Sequence, residues 1–383
     1  MKAKSISGNS ISSIKSALEN SLQDGFKPTL AFVFISVKQD RKAVSSLLIE
    51  NGIDVLGATS CGEFINEHQT DGEIAMLLME ISKDLYSLEF EKIDDDQMES
   101  ATQSLANKAL KKFQNPALIL CSTAINRKAE FFDGHRMVSS LKTSLGPDKV
   151  YYGGMAGDDW NMNGTFVFAN ENETDSGITA IVLDGDKIQL NGMAINGYKR
   201  MGICRTVTKS KANLLYEIDG KPAVDMYLKY LGQNDHQDDL DIFKDVSVEY
   251  PFIVERDQNE TVLVSIREIN EEENALVTDM KLPEGSNFWF AQPPGFDIVE
   301  EILEKAAMIK ETQKAKADAL LVFSCAGRPP ILGPMVTEEN EGLAKLWNAP
   351  MAGFFTYGEY GRAYKGAQNV HSGACCWVAL KEI

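Results

Sequence analysis

Three stretches of the chain are apolar at successive positions, at 30–36, 117–122 and 319–324, and each opens the same order of events. A strand apolar throughout, rather than at alternate positions, is one covered on both faces. After the first run, 41–51 has the spacing of a helix stopped by Gly52, 54–58 begins a second strand, and 74–79 returns. After the second, a helix over about 135–144 leads to a strand at 150–154, and 177–183 returns. After the third, a helix over about 338–347 leads to 351–355, and 373–380 returns. Before each return lies a turn of glycine and acid: 57–63, Gly157 with Asp158, and Gly358 with Glu359. The pattern predicts an α/β fold of the α+β kind, with helices covering mixed sheets in two pseudo-duplicated layered domains.

A longer parallel supports the duplication. Residues 87–91, 96–113 and 117–122 read strand, long amphipathic helix and buried strand, as do 287–291, 297–312 and 319–324. Residues 199–210 lack strong periodicity and read as a crossing segment, which puts the boundary near 200 and the domains at 1–200 and 201–383. Beyond it, 216–231 suits a capped helix with Pro222 in its first turn and Ala223, Met226, Tyr227 and Leu231 on one face. Residues 234–241 read as a solvated acidic loop.

With 44% hydrophobic and 25% charged residues, a chain of 383 has the balance of a folded protein with a sizeable core. A net charge of −18 repels phosphate backbones and anionic lipid, which argues against nucleic acid and membrane insertion. The polar, serine-rich start has no apolar core of a secretory signal, so the expected location is the cytoplasm. Six scattered cysteines without a C-x-x-C pair read as buried thiols, not a zinc ribbon or redox pair.

Glycine turns after buried strands let backbone amides approach a ligand's carboxylate while acids take an ammonium or hydroxyl. The polar contributors are Thr59, Ser60, Cys61, Glu63, Asp158, Asp159, Thr356, Tyr357 and Glu359. Ser122 and Ser324 end two repeat-related strands on the side where open sheets place ligands, and the Arg328 guanidinium suits a carboxylate clamp. The same residues also suit a plainer role, with glycines shaping tight turns, acids capping neighbouring amides and Arg328 on the surface.

No catalytic residue is predicted. A carboxylate beside Cys61 weakens it as a nucleophile, and Gly-x-Ser-x-Gly, Walker and His-Glu-x-x-His motifs are absent, which leaves an unrecognised hydrolase as a remote alternative. No metal is expected, since the adjacent acids 158 and 159 read as a hydrated turn. Of His68, His135, His236 and His371, the last is the one placed for an axial haem ligand.

The turns and their surroundings resemble the FIST family over nearly the whole chain. In the first half the matching motifs are Gly-Ala-Thr-Ser-Cys-Gly-Glu at 57–63, with Cys61 where the family has a small alanine, and Gly-Gly-Met-Ala-Gly-Asp-Asp at 153–159. In the second they are Leu-Tyr-Glu-Ile-Asp-Gly-Lys-Pro-Ala at 215–223, Phe-Ser-Cys-Ala-Gly-Arg at 323–328 and Gly-Phe-Phe-Thr-Tyr-Gly-Glu-Tyr-Gly at 353–361. The resemblance implies a bacterial sensory module with N- and C-terminal FIST domains that binds an amino acid or similar small metabolite. It also implies signalling to a separate partner such as a histidine kinase or nucleotide cyclase. Haem-based sensing of nitric oxide is the alternative that the family implies, and His371 is the residue placed to serve it.

Overall fold

The computed structural model describes residues 1–94, 97–232, 250–255 and 261–383. The fold is mixed α/β, in two compact units: Met1–Ile195 with Asp297–Ile383, and Asn196–Phe296. The chain therefore enters the second unit beside the expected boundary near 200, and it comes back to the first for its last part. The acidic segment 234–241, with His236, lies outside the described residues, as does Asp96 at the start of the expected helix 96–113.

Three repeats of one motif build the first unit. Each runs outer strand, helix, first strand, helix, second strand, turn, hairpin, return strand. In the first repeat these are Lys2–Gly8, Ile11–Leu22, Leu30–Ile35, Arg41–Glu50, Asp54–Thr59, the hairpin Glu63–Ile65 with His68–Thr70, and Ile74–Glu80. The second repeat has Tyr86–Lys92, Met98–Lys112, Pro116–Ser122, Gly134–Leu145, Tyr151–Met155, the hairpin Val167–Ala169 with Asn172–Thr174, and Gly177–Asp184. The third has Ile188–Ile195, Ile298–Thr312, Ala319–Cys325, Met335–Trp347, Met351–Thr356, the hairpin Glu359–Arg362 with Gln368–His371, and Cys375–Glu382. Several helices start where an oxygen is ready to receive the orphan amides of the first turn. Ser10 accepts from Ser13 N, Asp40 from Ala43 N and Asp133 from Arg136 N.

First and second strands pair in parallel, the return strand runs antiparallel beside the first, and the outer strand lies beyond it. The hairpins do not stay at home. That of the first repeat joins the third sheet, that of the third joins the second, and that of the second joins the first, each against the second strand. A glycine lies opposite an aromatic residue of the incoming hairpin at every junction, Phe168 across from Gly57, Phe64 from Gly353 and Tyr360 from Gly153, and at the first two it makes room for the ring. A Cβ on Gly57 would stand 2.0 Å from the Phe168 ring, and one on Gly353 would stand 2.3 Å from Phe64.

One face of each sheet meets the other two in a shared core, where Phe34 stacks on Phe354 and meets Phe323 edge-on. The opposite faces lie under their own helices, for example Ala31, Val33 and Ile35 against Ile14, Leu18, Val44 and Leu48. Two apolar partners per strand explain the unbroken apolar runs.

In the second unit the described strands form one antiparallel sheet whose edges, Thr261–Val264 and Ile266–Asn270, are separated in sequence by Ser265 alone. The sheet curls to bring its edges together, with Val264, Ile266 and Tyr227 of the helix Ala223–Tyr230 in one core. The expected crossing segment 199–210 is a strand here, Lys199–Lys211, mostly exposed and held by backbone pairing, so its side chains carry no period. Asp219 and Gly220 are not a helix cap. Both have positive φ, 52° and 72°, and they turn a hairpin that pairs Glu217 with Pro222. The helix starts only after Pro222 and buries Ala223, Val224, Tyr227 and Leu228, leaving Met226 partly buried.

The long parallel at 287–291 also needs correction. Asn287–Gln292 belongs to the second unit, and the counterpart of Tyr86–Lys92 is Ile188–Ile195. An amphipathic strand just before a helix looks alike in either place, so sequence spacing alone picked the nearer one. No helix among the described residues is long and apolar enough to cross a membrane.

Candidate functional site

All three glycine-acid turns lie at the carboxyl ends of the parallel strands, and the exchange of hairpins locks them together. Cys61 N donates to Phe355 O and Phe355 N to Gly62 O, both at 2.9 Å. Met155 N donates to Gly358 O (2.7 Å) and Tyr357 N to Met155 O (3.2 Å). Gly157 N donates to Thr59 O (2.8 Å) and Asp159 N to Ser60 O (2.9 Å). Gly157 permits this approach, since a Cβ there would lie 2.6 Å from Cys61 Sγ.

Glu63 and Glu359 are equivalent and wholly buried. Each accepts from a hydroxyl three residues earlier, Ser60 Oγ and Thr356 Oγ1 respectively, and from a backbone N–H beyond its hairpin, Glu73 at 3.0 Å and Ala374 at 3.1 Å. Burial is the main cause that pushes both carboxyls up to about 8. Asp158 gathers the N–H groups of Met162, Asn163 and Gly164 at 2.7 to 3.1 Å, together with the Tyr357 hydroxyl at 2.6 Å. That loop carries three non-glycine residues at positive φ: Asp159 (53°), Trp160 (64°) and Met162 (51°). Conformations of this kind cost of order 1–3 kcal/mol each and persist only where surrounding bonds impose them.

Cys61 faces the Tyr357 hydroxyl and the backbone amides of Asp158 and Trp160. Its thiol is pushed up to about 12, by burial first and only slightly by a carboxylate, that of Asp158. Asp159 reaches outward, accepting from Ser36 Oγ at 2.7 Å and pairing with the exposed Lys38 at 3.3 Å. Trp160, 41% exposed, lies edge-on to Tyr357 at 5.8 Å.

Around this junction the remaining candidates have internal partners. Thr59 Oγ1 accepts from Phe166 N at 2.9 Å, and Ser122 Oγ lies 2.6 Å from the Tyr360 hydroxyl. Ser324 Oγ is buried without a partner. Its counterpart contact is missing because Phe64, which lacks a hydroxyl, stands where Tyr360 stands in the second sheet. Arg328 is buried, not a surface residue: it forms an ion pair with Glu339 and donates to Gly373 O at 3.0 Å. His371 sits across from Glu359 with Nε2 3.2 Å from Gly361 O. Among the described residues no group of three or more His, Cys, Asp or Glu is placed to hold a metal.

Sequence reasoning missed Ser36, Lys38, Trp160 and Glu339. Glu339 and Asn340 break the buried stripe of Val336, Leu343 and Trp347, and that interruption was its signal. Trp160 directly follows the two acids but shows no periodicity.

The fold of this chain, with three interlocked turns on helix-covered mixed sheets, is matched by a family of sensory modules of signal transduction. The chain belongs to the FIST family: the FIST N domain matches residues 29–221 and the FIST C domain 223–362. The division between these matches falls inside the second compact unit, so the FIST C domain draws on both units. An uncharacterized protein of Methanocaldococcus jannaschii is 26% identical over 206 residues, which is 51% of this chain and 39% of that protein. The chain thus spans about two fifths of the length of the curated relative that it matches.

Proposed function

We propose that this chain is a non-catalytic cytoplasmic sensor whose ligand, an amino acid or similar small metabolite, binds at the mouth of the turn junction. The observation that carries this reading is the Lys38–Asp159 ion pair beside Trp160 and Tyr357. Lys38 is exposed while the Asp159 carboxylate is mostly buried, so a zwitterion enters this pair from the Lys38 side, its carboxylate going to Lys38 and its ammonium to Asp159. The two rings supply apolar area for a side chain. Thr59, Ser60, Cys61, Glu63, Asp158, Thr356 and Glu359 form the frame behind. Movement of the strained loop is passed through Asp158 and Tyr357 to the third repeat's hairpin in the second sheet, and a separate partner such as a histidine kinase or nucleotide cyclase reads the change.

A thermal-shift screen over amino acids and small metabolites tests this. The expected result is a rise in melting temperature that Trp160→Ala or Lys38→Gln removes. A rise untouched by both substitutions, or no rise with any compound, overturns it.

A further inference from the structure

The strand Lys199–Lys211 changes partner along its length. Its second half, from Val207, pairs with Leu214–Ile218, whereas Lys199–Thr206 pairs on the other side with Asn287–Gln292. The chain turns away at Asp219 and Gly220, so among the described residues no strand lies along the far edge of Lys199–Arg205. Within that stretch the ladder is broken. Met201 lies opposite Phe290 and Arg205 opposite Phe288, so the longer run between them is pushed out as a bulge. Gly202 takes a φ of 73° there, Ile203 is 67% exposed, and Met201 beside it is 38% exposed. A bulge that only guarded an edge against other strands would carry charge at its tip, and this one carries apolar side chains.

Next to the bulge, Arg200 lies flat on an aromatic ring, its Cζ 3.8 Å from the centre of Trp289. The ring covers one face of the guanidinium and leaves the N–H groups, which lie in its plane, to fork a carboxylate. Among the described residues those N–H groups have no acceptor. Arg205 and Lys209 are already engaged, the first with Asp219 and the second over Tyr216. Charge decides what can dock here. Between 199 and 211 the strand carries Lys199, Arg200, Arg205, Lys209 and Lys211 and no acid, in a chain of net charge −18. Two copies of this strand side by side would set like charges together, whereas an acidic segment meets a complementary potential.

We propose that Arg200, Trp289, Met201 and Ile203 form a docking surface for a separate protein, held through a short segment that carries an acid beside apolar residues. Arg200 forks the carboxylate, and Met201 and Ile203 receive the apolar side chains. The surface lies wholly within the second unit and does not depend on the reading of the turn junction.

Selection of random dodecapeptides displayed on phage, with the full chain as bait, tests the proposal. Enrichment of sequences with Asp or Glu next to apolar residues is expected. A peptide so selected is expected to bind the unsubstituted chain about tenfold more tightly than Arg200→Gln in fluorescence anisotropy. Ile203→Ser is expected to weaken it as well, and because both positions are exposed, melting temperatures are expected to stay unchanged. No enrichment, enriched peptides without acids, or affinity indifferent to both substitutions overturns the proposal. So does a dimer in sedimentation that Arg200→Gln dissociates, which would make this face a contact between copies.

Discussion

The hydroxyl of Tyr357 donates to Asp158 at 2.6 Å and so ties the third repeat's turn to the second repeat's strained loop. Tyr357→Phe keeps the ring beside Trp160 and removes this bond together with the hydroxyl's contact to Cys61. It is expected to lower unfolding free energy by about 1–3 kcal/mol in urea titration. Asp158→Asn disturbs three backbone donors as well and is expected to cost more.

The two buried glutamates give the protein a pH dependence of known sign. Unfolded, their carboxyls titrate near 4.5; folded, burial holds them protonated up to about 8. Their contribution is complete below about 4.5 and falls as pH rises through 8, because the unfolded chain releases protons that the folded one keeps. Melting temperatures measured from pH 5 to 8 are expected to fall less steeply in Glu63→Gln with Glu359→Gln than in the unsubstituted protein. Parallel curves would show that these carboxyls are not held protonated.

Phe64 and Tyr360 sit at equivalent places, yet only Tyr360 has a serine partner for a hydroxyl. Phe64→Tyr is expected to satisfy Ser324 Oγ and to raise stability by up to about 1 kcal/mol, with Tyr360→Phe lowering it by a similar amount. Gly353→Ala is expected to be far more damaging than either, since its Cβ meets the Phe64 ring at 2.3 Å in a core without slack. Chemical denaturation of the three variants checks the order.

The second unit interrupts the first at a place where the other repeats need only a short loop. Residues 9–10 join outer strand to helix in the first repeat and 93–97 do so in the second, whereas in the third the join spans 196–297. Replacing 196–296 by a linker of about five residues is therefore expected to leave the first unit folded, with cooperative melting and mixed α/β circular dichroism. A molten or insoluble product would show that the first unit depends on the insertion.

Much of this was legible in the residues themselves. The runs 30–36, 117–122 and 319–324 are strands because apolarity at every position requires cover on two faces, and the turns follow because glycine permits conformations that other residues resist. Local pattern also carried the helices, to within a few residues.

Pairing between distant segments was not legible. That Phe64 lies over Gly353, that Tyr357 reaches Asp158, and that Arg328 meets Glu339 in the core all depend on which strand edge a hairpin finds after crossing the molecule. Periodicity records how a residue's own face is covered and says nothing of which segment covers it. The sequence by itself thus determined the strands, helices, turns and family, while tertiary packing alone decided that the three turns meet and that their acids are buried.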